Sequence, residues 1–268
     1  MHNPAGDTYA HGTQEWARHT LNIQDGCYHD CRYCYAKALA IRFKRSTPTD
    51  WSHPRLRVKA LDKSYRKRAG RIMFPSSHDI TEDNLDACLS VLRNVVNRGN
   101  DVLIVTKPSL AVVKPLCREL HPYRSSVTFR ITIGSASDTV LRFWEPNAPR
   151  YRQRLAALKH AAERGFQTSV SCEPMLDDRI EKVISDVRPY VTDSIWIGQA
   201  NRLRQIIAMN CPDDPDANTK AEELLEFQDS SRIENLYLKY RSDRQIRWKD
   251  SIKKRLGLSR PVMHGLDV

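Results

Sequence analysis

Short apolar runs alternate with amphipathic stretches along this chain, and the alternation predicts its elements. His19-Thr20-Leu21-Asn22-Ile23 changes character residue by residue and predicts a short first strand. Ala36 to Lys44, rich in Ala, Leu and Lys, predicts a helix. Residues 46–70 hold two prolines and little periodicity, and predict a loop with one short helix. Arg71 to Phe74 begins a second strand. Between Thr81 and Arg98, Leu85, Leu89, Leu92 and Val96 recur at helical spacing. Thr81 is placed to cap that helix, Glu82 and Asp83 fill its first turn, and Gly99 marks its stop.

Asp101 to Thr106 is a nearly continuous apolar run, as expected of a strand covered on both faces. A helix from Ser109 to Leu120 and a strand from Val127 to Ile133 follow. Tyr151 to Arg164 predicts a helix, Gln167 to Cys172 a strand, Asp178 to Val187 a helix and Ser194 to Gly198 a sixth strand. After Asn201 the chain reads as helix or loop, acidic at first and basic at the end. Six strands alternating with helices predict an α/β fold with a parallel sheet, either an open doubly wound sheet or a barrel, full or partial. Periodicity does not separate these.

Composition narrows the class. The 268 residues are 40% hydrophobic and 28% charged, ordinary for a globular protein. No stretch approaches the ~18 uncharged apolar residues of a membrane helix. Met-His-Asn-Pro-Ala-Gly-Asp at the start has neither the basic nor the apolar region of a signal peptide, so a cytoplasmic protein away from membranes is expected. The seven cysteines stand at 27, 31, 34, 88, 117, 172 and 211. An odd set with three crowded together suits a reducing compartment and a metal or cluster site better than a disulfide framework.

Those three lie in Gly26-Cys27-Tyr28-His29-Asp30-Cys31-Arg32-Tyr33-Cys34-Tyr35, a C-x3-C-x2-C spacing. Three thiolates this close can grip a [4Fe–4S] cluster, which usually takes four cysteines, and leave one iron open to a small molecule. Structural zinc is the alternative. It wants four ligands, and although His29 could contribute, a further ligand at zinc-finger spacing is missing.

The motif, its position after a first strand and the aromatic before its third cysteine resemble the radical S-adenosylmethionine (SAM) superfamily. That resemblance implies a partial (β/α)6 barrel of the TIM type, with the cluster loop after the first strand. It implies that the open iron chelates the amino and carboxylate groups of SAM. It also implies that an electron from a flavodoxin or ferredoxin cleaves SAM to methionine and a 5′-deoxyadenosyl radical, which abstracts hydrogen from substrate. Residues 1–205 would form the barrel, and 206–268 a helical, basic C-terminal extension packed on it.

A narrower resemblance is to the spore photoproduct lyase group. It rests on Tyr33-Cys34-Tyr35, Phe74-Pro75-Ser76-Ser77-His78-Asp79, Val105-Thr106-Lys107, Arg130-Ile131-Thr132-Ile133 and Trp144-Glu145-Pro146, and covers residues 19–200. It implies that Ser76 and Ser77 hold the SAM amino group. Lys107 and Thr132 would contact the carboxylate and ribose, Tyr33 would lie near the adenine, and Tyr35 would belong to the hydrogen-transfer path. The lyase reverses a thymine crosslink in DNA and uses a cysteine hydrogen donor where this chain has Ser76. A serine O–H bond is too strong to quench a carbon radical easily. Cys172, at the end of the fifth strand, is a candidate substitute, with a small buried core residue as the alternative. Glu173 beside it reads as a site acid or a structural acceptor. His78 and Asp79 read as a helix-capping pair or as groups supporting the site.

Charge adds a partner. Lys and Arg number 43 against 32 acids, a net of +11. Arg42 to Arg71 alone carries a net of +9 and Arg232 to Arg260 a net of +7. Phe43, Trp51 and Tyr65 accompany the first segment, and Tyr237, Tyr240 and Trp248 the second. Cations for phosphates and aromatics for bases predict a nucleic-acid substrate, DNA or a nucleotide. The resulting expectation is a lyase or isomerase that repairs or rearranges a base in DNA by radical SAM chemistry. The alternatives are a radical SAM enzyme acting on a peptide or metabolite, and a non-enzymatic metal-containing nucleic-acid-binding module.

Overall fold

The apolar runs form the strands of one parallel sheet, seen in a computed structural model that describes residues 9–265. Its strands are β1 (His19–Thr20), β2 (Ile72–Phe74), β3 (Val102–Thr106), β4 (Val127–Thr132), β5 (Gln167–Cys172), β6 (Ile195–Ile197) and β7 (Ile246–Trp248). Each pairs with its neighbour in the chain, so the spatial order is the chain order. The opening residues 1–7, expected to be no leader, lie outside the described residues.

Register fixes which side each residue faces. Val105 lies beside Arg130, Arg130 beside Ser169, Thr132 beside Ser171, and Ser171 beside Trp196. Side chains alternate across a strand, so this row shares the concave face. The opposite face carries Phe74, Ile104, Phe129, Ile131, Val170, Cys172 and Ile197, which join the large apolar core. α1 (Tyr35–Arg42) packs Ala36 and Ala40 against Cys27 and Trp51, and further helices cover that face: α2 (Leu85–Asn97), α3 (Leu110–Leu120), α4 (Asp138–Trp144), α5 (Tyr151–Glu163), α6 (Ile180–Val187) and α7 (Leu203–Asn210). Leu89, Leu92, Val112, Leu116, Leu158, Val183 and Ile184 are their buried contributions. The concave side has its own small core of Trp16, Ala17, Met73, Leu103 and Trp196.

The six expected strand–helix units are all present, and the sheet is longer by one strand. The C-terminal section folds into α8 (Pro215–Phe227), α9 (Ser230–Tyr240), β7 and α10 (Asp250–Leu256). β7 sets Ile246 beside Ile195 and Trp248 beside Ile197. Among the described residues β1 and β7 do not pair, so the barrel is partial. The N-terminal segment enters there: Trp16 meets Trp196 edge-on at 5.9 Å between ring centroids. The expected loop at 46–70 holds a 3-10 turn at Asp50–Ser52, one turn of α-helix at Val58–Leu61 and a two-residue strand, Arg55–Leu56, paired antiparallel with Gln24–Asp25.

Helix α2 is entered through Thr81 and Asn84, which form a reciprocal capping box. His78 and Asp79 therefore do not cap this helix. Among the described residues no helix is long and apolar enough to cross a membrane.

Candidate active site

The cysteine loop leaves β1 and turns under tight backbone constraint. Gly26 has φ +80°, and a Cβ there would lie 2.7 Å from the Trp51 carbonyl oxygen. That same oxygen accepts the Cys27 N–H at 2.8 Å. Cys34 is the N-cap of α1, and its Sγ accepts the Lys37 N–H at 3.4 Å. The far side of the loop is tied down by Arg32, which donates to the Phe143 carbonyl at 2.8 Å, pairs with Asp214, and lies 4.5 Å over the Phe143 ring. Asn210 donates to the Arg32 and Cys34 carbonyls at 2.8 and 2.9 Å.

Asp79, just past β2, gathers several donors. Its carboxylate accepts the Ile80 N–H at 2.8 Å, the Thr106 hydroxyl, and the Lys107 N–H at 3.2 Å. His29 of the cysteine loop approaches at 3.2 Å and the Lys107 ammonium at 4.0 Å. Burial works against this charge, but His29, Lys107 and Thr106 outweigh it and hold the carboxyl below the usual range. Burial also opposes the Lys107 ammonium, yet the carboxylates of Glu145 and Asp79 beside it hold it charged. Its Nζ lies 6.0 Å from the centre of the Tyr33 ring.

Tyr33 is fixed from behind. Its hydroxyl donates to one oxygen of Glu145, and Arg154 donates to the other. Arg154 also donates to the Thr132 carbonyl at 3.1 Å and the Pro149 carbonyl at 2.7 Å. Glu145 and Arg154 are fully buried. Burial alone would raise the Glu145 carboxyl, but Arg154 and Lys107 bring it below its ordinary value.

Asn22, past the end of β1, shapes the turn after β2. Its Oδ1 accepts the Ser76 and Ser77 N–H groups at 2.8 and 2.9 Å, and its Nδ2 donates to Ser76 Oγ at 2.8 Å. The Tyr35 hydroxyl donates to the Ser76 carbonyl.

These groups surround one cavity of about 450 Å³ at the C-terminal ends of the strands. Its lining includes Cys27, Cys31, Cys34, Tyr33, Tyr35, Ser76, Ser77, Lys107, Thr132 and Glu173. Of the expected site residues, only Cys172 is absent from it. The alternation of β5 explains this: Ser171 and Glu173 face the cavity, so Cys172 between them faces the helices, wholly buried in the large core.

Glu173 meets a cation that the sequence reading did not single out. Lys249, at the end of β7, places its Nζ 3.4 Å from Glu173, 2.6 Å from Glu15 and 3.9 Å from the centre of the Trp16 ring. It also donates to the Gly12 carbonyl at 2.7 Å. Burial raises both carboxyls, and Lys249 opposes the rise. Gly198 leaves room for the pair, since a Cβ there would sit 2.9 Å from side-chain carbons of both Glu173 and Lys249.

The donor set fits an iron–sulfur cluster. Three thiols from one loop line one wall of the cavity, all unpaired. Burial pushes the Cys27 thiol up to about 12, so a soft metal must displace its proton to bind. A lysine, two serines and a tyrosine ring stand around the same space, as a zwitterionic ligand with an aromatic group requires.

The positive charge divides unevenly between surface and interior. In the second basic segment Lys249 and Lys253 are buried, Arg255 donates to the Gln228 carbonyl, and Arg260 pairs with Asp250. Trp51, Tyr65 and Trp248, expected as stacking groups, are buried, whereas Phe43 is 61% exposed. In the first segment Arg42, Lys44, Arg45, Arg55, Lys59, Lys63, Arg66, Lys67 and Arg68 are exposed.

A family model of the radical SAM superfamily matches residues 21–185. An uncharacterised protein of Methanocaldococcus jannaschii is 24% identical over 181 residues, 65% of this chain and 67% of that protein. An uncharacterised protein of Acidianus two-tailed virus is 28% identical over 185 residues, 65% of this chain and 59% of that protein. Among solved structures, spore photoproduct lyase complexed with dinucleoside spore photoproduct superposes with a TM-score of 0.54 at 16% identity, over 79% of this chain and 66% of that one. SuiB of Streptococcus suis, bound to SAM, superposes with a TM-score of 0.51 at 9% identity, over 88% of this chain and 51% of that one.

Proposed function

The chain belongs to the radical SAM superfamily, and from that premise we propose that it acts on a base in DNA, rearranging or repairing it. When bound, the [4Fe–4S] cluster and SAM of this family supply a hydrogen-abstracting radical. Cys27, Cys31 and Cys34 would hold the cluster. Lys107 would pair with the SAM carboxylate, kept cationic by Asp79 and Glu145. The Ser76–Ser77 turn, braced by Asn22, offers acceptors for the SAM ammonium. Tyr33, locked by Glu145, presents its ring to the adenine, and Thr132 its hydroxyl to the ribose. Glu173, Tyr35 and Ser171 are left to face the substrate. An electron donor of the flavodoxin or ferredoxin type and a cytoplasmic setting accompany this reading.

The observation that carries the nucleic-acid substrate is the placement of the first basic segment. Its Trp51 lines the cavity and accepts the Cys27 N–H, while Arg42, Lys44, Arg45, Arg55 and Lys59 stay exposed. A phosphate backbone held by these cations would bring a base to the mouth. The three loop cysteines are the only thiols lining the cavity, among the described residues. That favours a rearrangement, in which the substrate radical recovers the hydrogen first removed, over a reversal that needs a separate donor.

The test is SAM cleavage by the reduced holoenzyme, titrated against unmodified, hypermodified and UV-treated DNA, with the DNA digested to nucleosides and analysed by mass. Cleavage coupled to a changed nucleoside supports the reading. Uncoupled cleavage with every DNA unchanged overturns it.

A further inference from the structure

Helix α1 buries one side and leaves an apolar ridge on the other. Ala36, Ala38 and Ala40 are buried, with Lys37, whose Nζ reaches Asp30 at 2.7 Å. Tyr35, Leu39 and Phe43 are 47%, 41% and 61% exposed. Their spacing of four residues stacks them along one stripe, which spans roughly 12 Å at the helical rise.

The ridge has a direction. Tyr35 begins it inside the cavity lining, its hydroxyl on the Ser76 carbonyl. Phe43 ends it at the surface, with the guanidiniums of Arg42 and Arg45 at 5.8 and 5.7 Å from its ring centre. Lys44 is exposed beside them with φ +54°. Among the described residues no acid forms a salt bridge with Arg42, Lys44 or Arg45. Elsewhere Lys239, Lys249 and Arg260 pair with carboxylates. Exposed apolar side chains cost solvation, and cations outside any salt bridge are open to a polyanion. An apolar ridge ending among cations that make no salt bridge therefore suits a ligand with both flat apolar faces and negative charge.

We propose that the Tyr35–Leu39–Phe43 ridge, on the base-acting reading above, is a track for single-stranded nucleic acid leading into the cavity. Bases stack on Phe43 and pack on Leu39, Arg42 and Arg45 neutralise the adjoining phosphates, and Tyr35 marks where the target base turns inward. The chemistry is that of non-sequence-specific single-strand binders, in which aromatic stacking supplies about 1–3 kcal/mol per base. A duplex, with its bases stacked internally, would use the cations but not the ridge.

The experiment measures the binding of a fluorescein-labelled 20-nucleotide single strand, and of the same sequence as a duplex, to the anaerobically reconstituted holoenzyme with SAM. Anisotropy is read at several salt concentrations. The Leu39→Ala/Phe43→Ala variant is expected to bind the single strand about tenfold or more weakly, with a smaller loss for the duplex. Arg42→Ala/Arg45→Ala is expected to reduce the log–log salt slope for the single strand by about 1.4, two phosphate contacts. Iron content and melting temperature check that each variant is folded. Unchanged single-strand affinity and slope in both variants, with wild type binding normally, overturns the track and leaves the base-acting reading standing. Unchanged DNA binding together with slower reduction by flavodoxin would make the ridge a protein-docking face and likewise overturns it. Failure of wild type to bind any nucleic acid removes the base-acting reading, and the track with it.

Discussion

His29 in the cysteine loop and Asp79 past the second strand face one another at 3.2 Å, both buried. This contact ties the cysteine loop to the sheet. A carboxyl held low in the folded protein stabilises it fully above the unfolded pKa of about 3.9, and that contribution is lost as the pH falls. Asp79→Asn should therefore cost about 2–4 kcal/mol near neutrality, with the gap from wild type shrinking below about pH 5. Urea titrations at neutral and acid pH would show it, and a gap that stays constant with pH would refute it.

Tyr33 and Arg154 bind opposite oxygens of Glu145. Arg154→Met leaves a buried carboxylate without its cation and should cost about 3–5 kcal/mol. Tyr33→Phe removes one donor and should cost about 1–3 kcal/mol. Because both act on one carboxylate, the double variant should depart from the sum of the singles by about 1 kcal/mol or more. Strict additivity in a double-mutant cycle would show that the two contacts are independent.

Lys249 is the cation between Glu15 and Glu173, whose carboxyls burial already raises. Lys249→Met should leave stability near wild type at about pH 4–5, where both acids can hold protons. The variant should lose about 3–5 kcal/mol as the pH rises and buried carboxylates must ionise without a partner. Adding Glu15→Gln should recover much of that loss. Melting temperatures across the pH range measure this, and a loss equal at all pH values would contradict it.

Gly26 is confined by its φ of +80° and by the Trp51 carbonyl 2.7 Å from any Cβ. Gly26→Ala should push the loop off Trp51 and reduce iron bound on reconstitution to below about half of wild type. Gly257→Ala, at φ +65° with open space around it, should cost about 1 kcal/mol of stability and keep its iron. Iron analysis of the two proteins separates loop geometry from general strain.

Much of this was legible in the residues. Apolar runs marked the first six strands of the sheet, and the C-x3-C-x2-C spacing marked the cavity wall. The misses have physical causes. β7 is Ile246-Arg247-Trp248, and Arg244, Arg247, Lys249 and Asp250 break up any apolar run there. Helix α4 is seven residues, Asp138–Trp144, two turns between better signals. Cys172 does stand at the end of its strand, and only strand phase turns it from the cavity. Lys249 looked like one cation of a basic tail because its partner Glu15 lies at the other end of the sequence. The same blindness to distance hid Asn22 behind Ser76 and Arg154 behind Tyr33.

That separation of Lys249 from its partners has a consequence for how the protein is made. The bond from Lys249 to the Gly12 carbonyl joins residues 237 positions apart. During synthesis, at about 5–20 residues per second, the cysteine loop leaves the ribosome long before Lys249 exists. Until then Glu15 has no ammonium beside it and the wall of the cavity around Glu173 is unfinished. The loop thiols thus emerge well before the residue that closes the chamber around them.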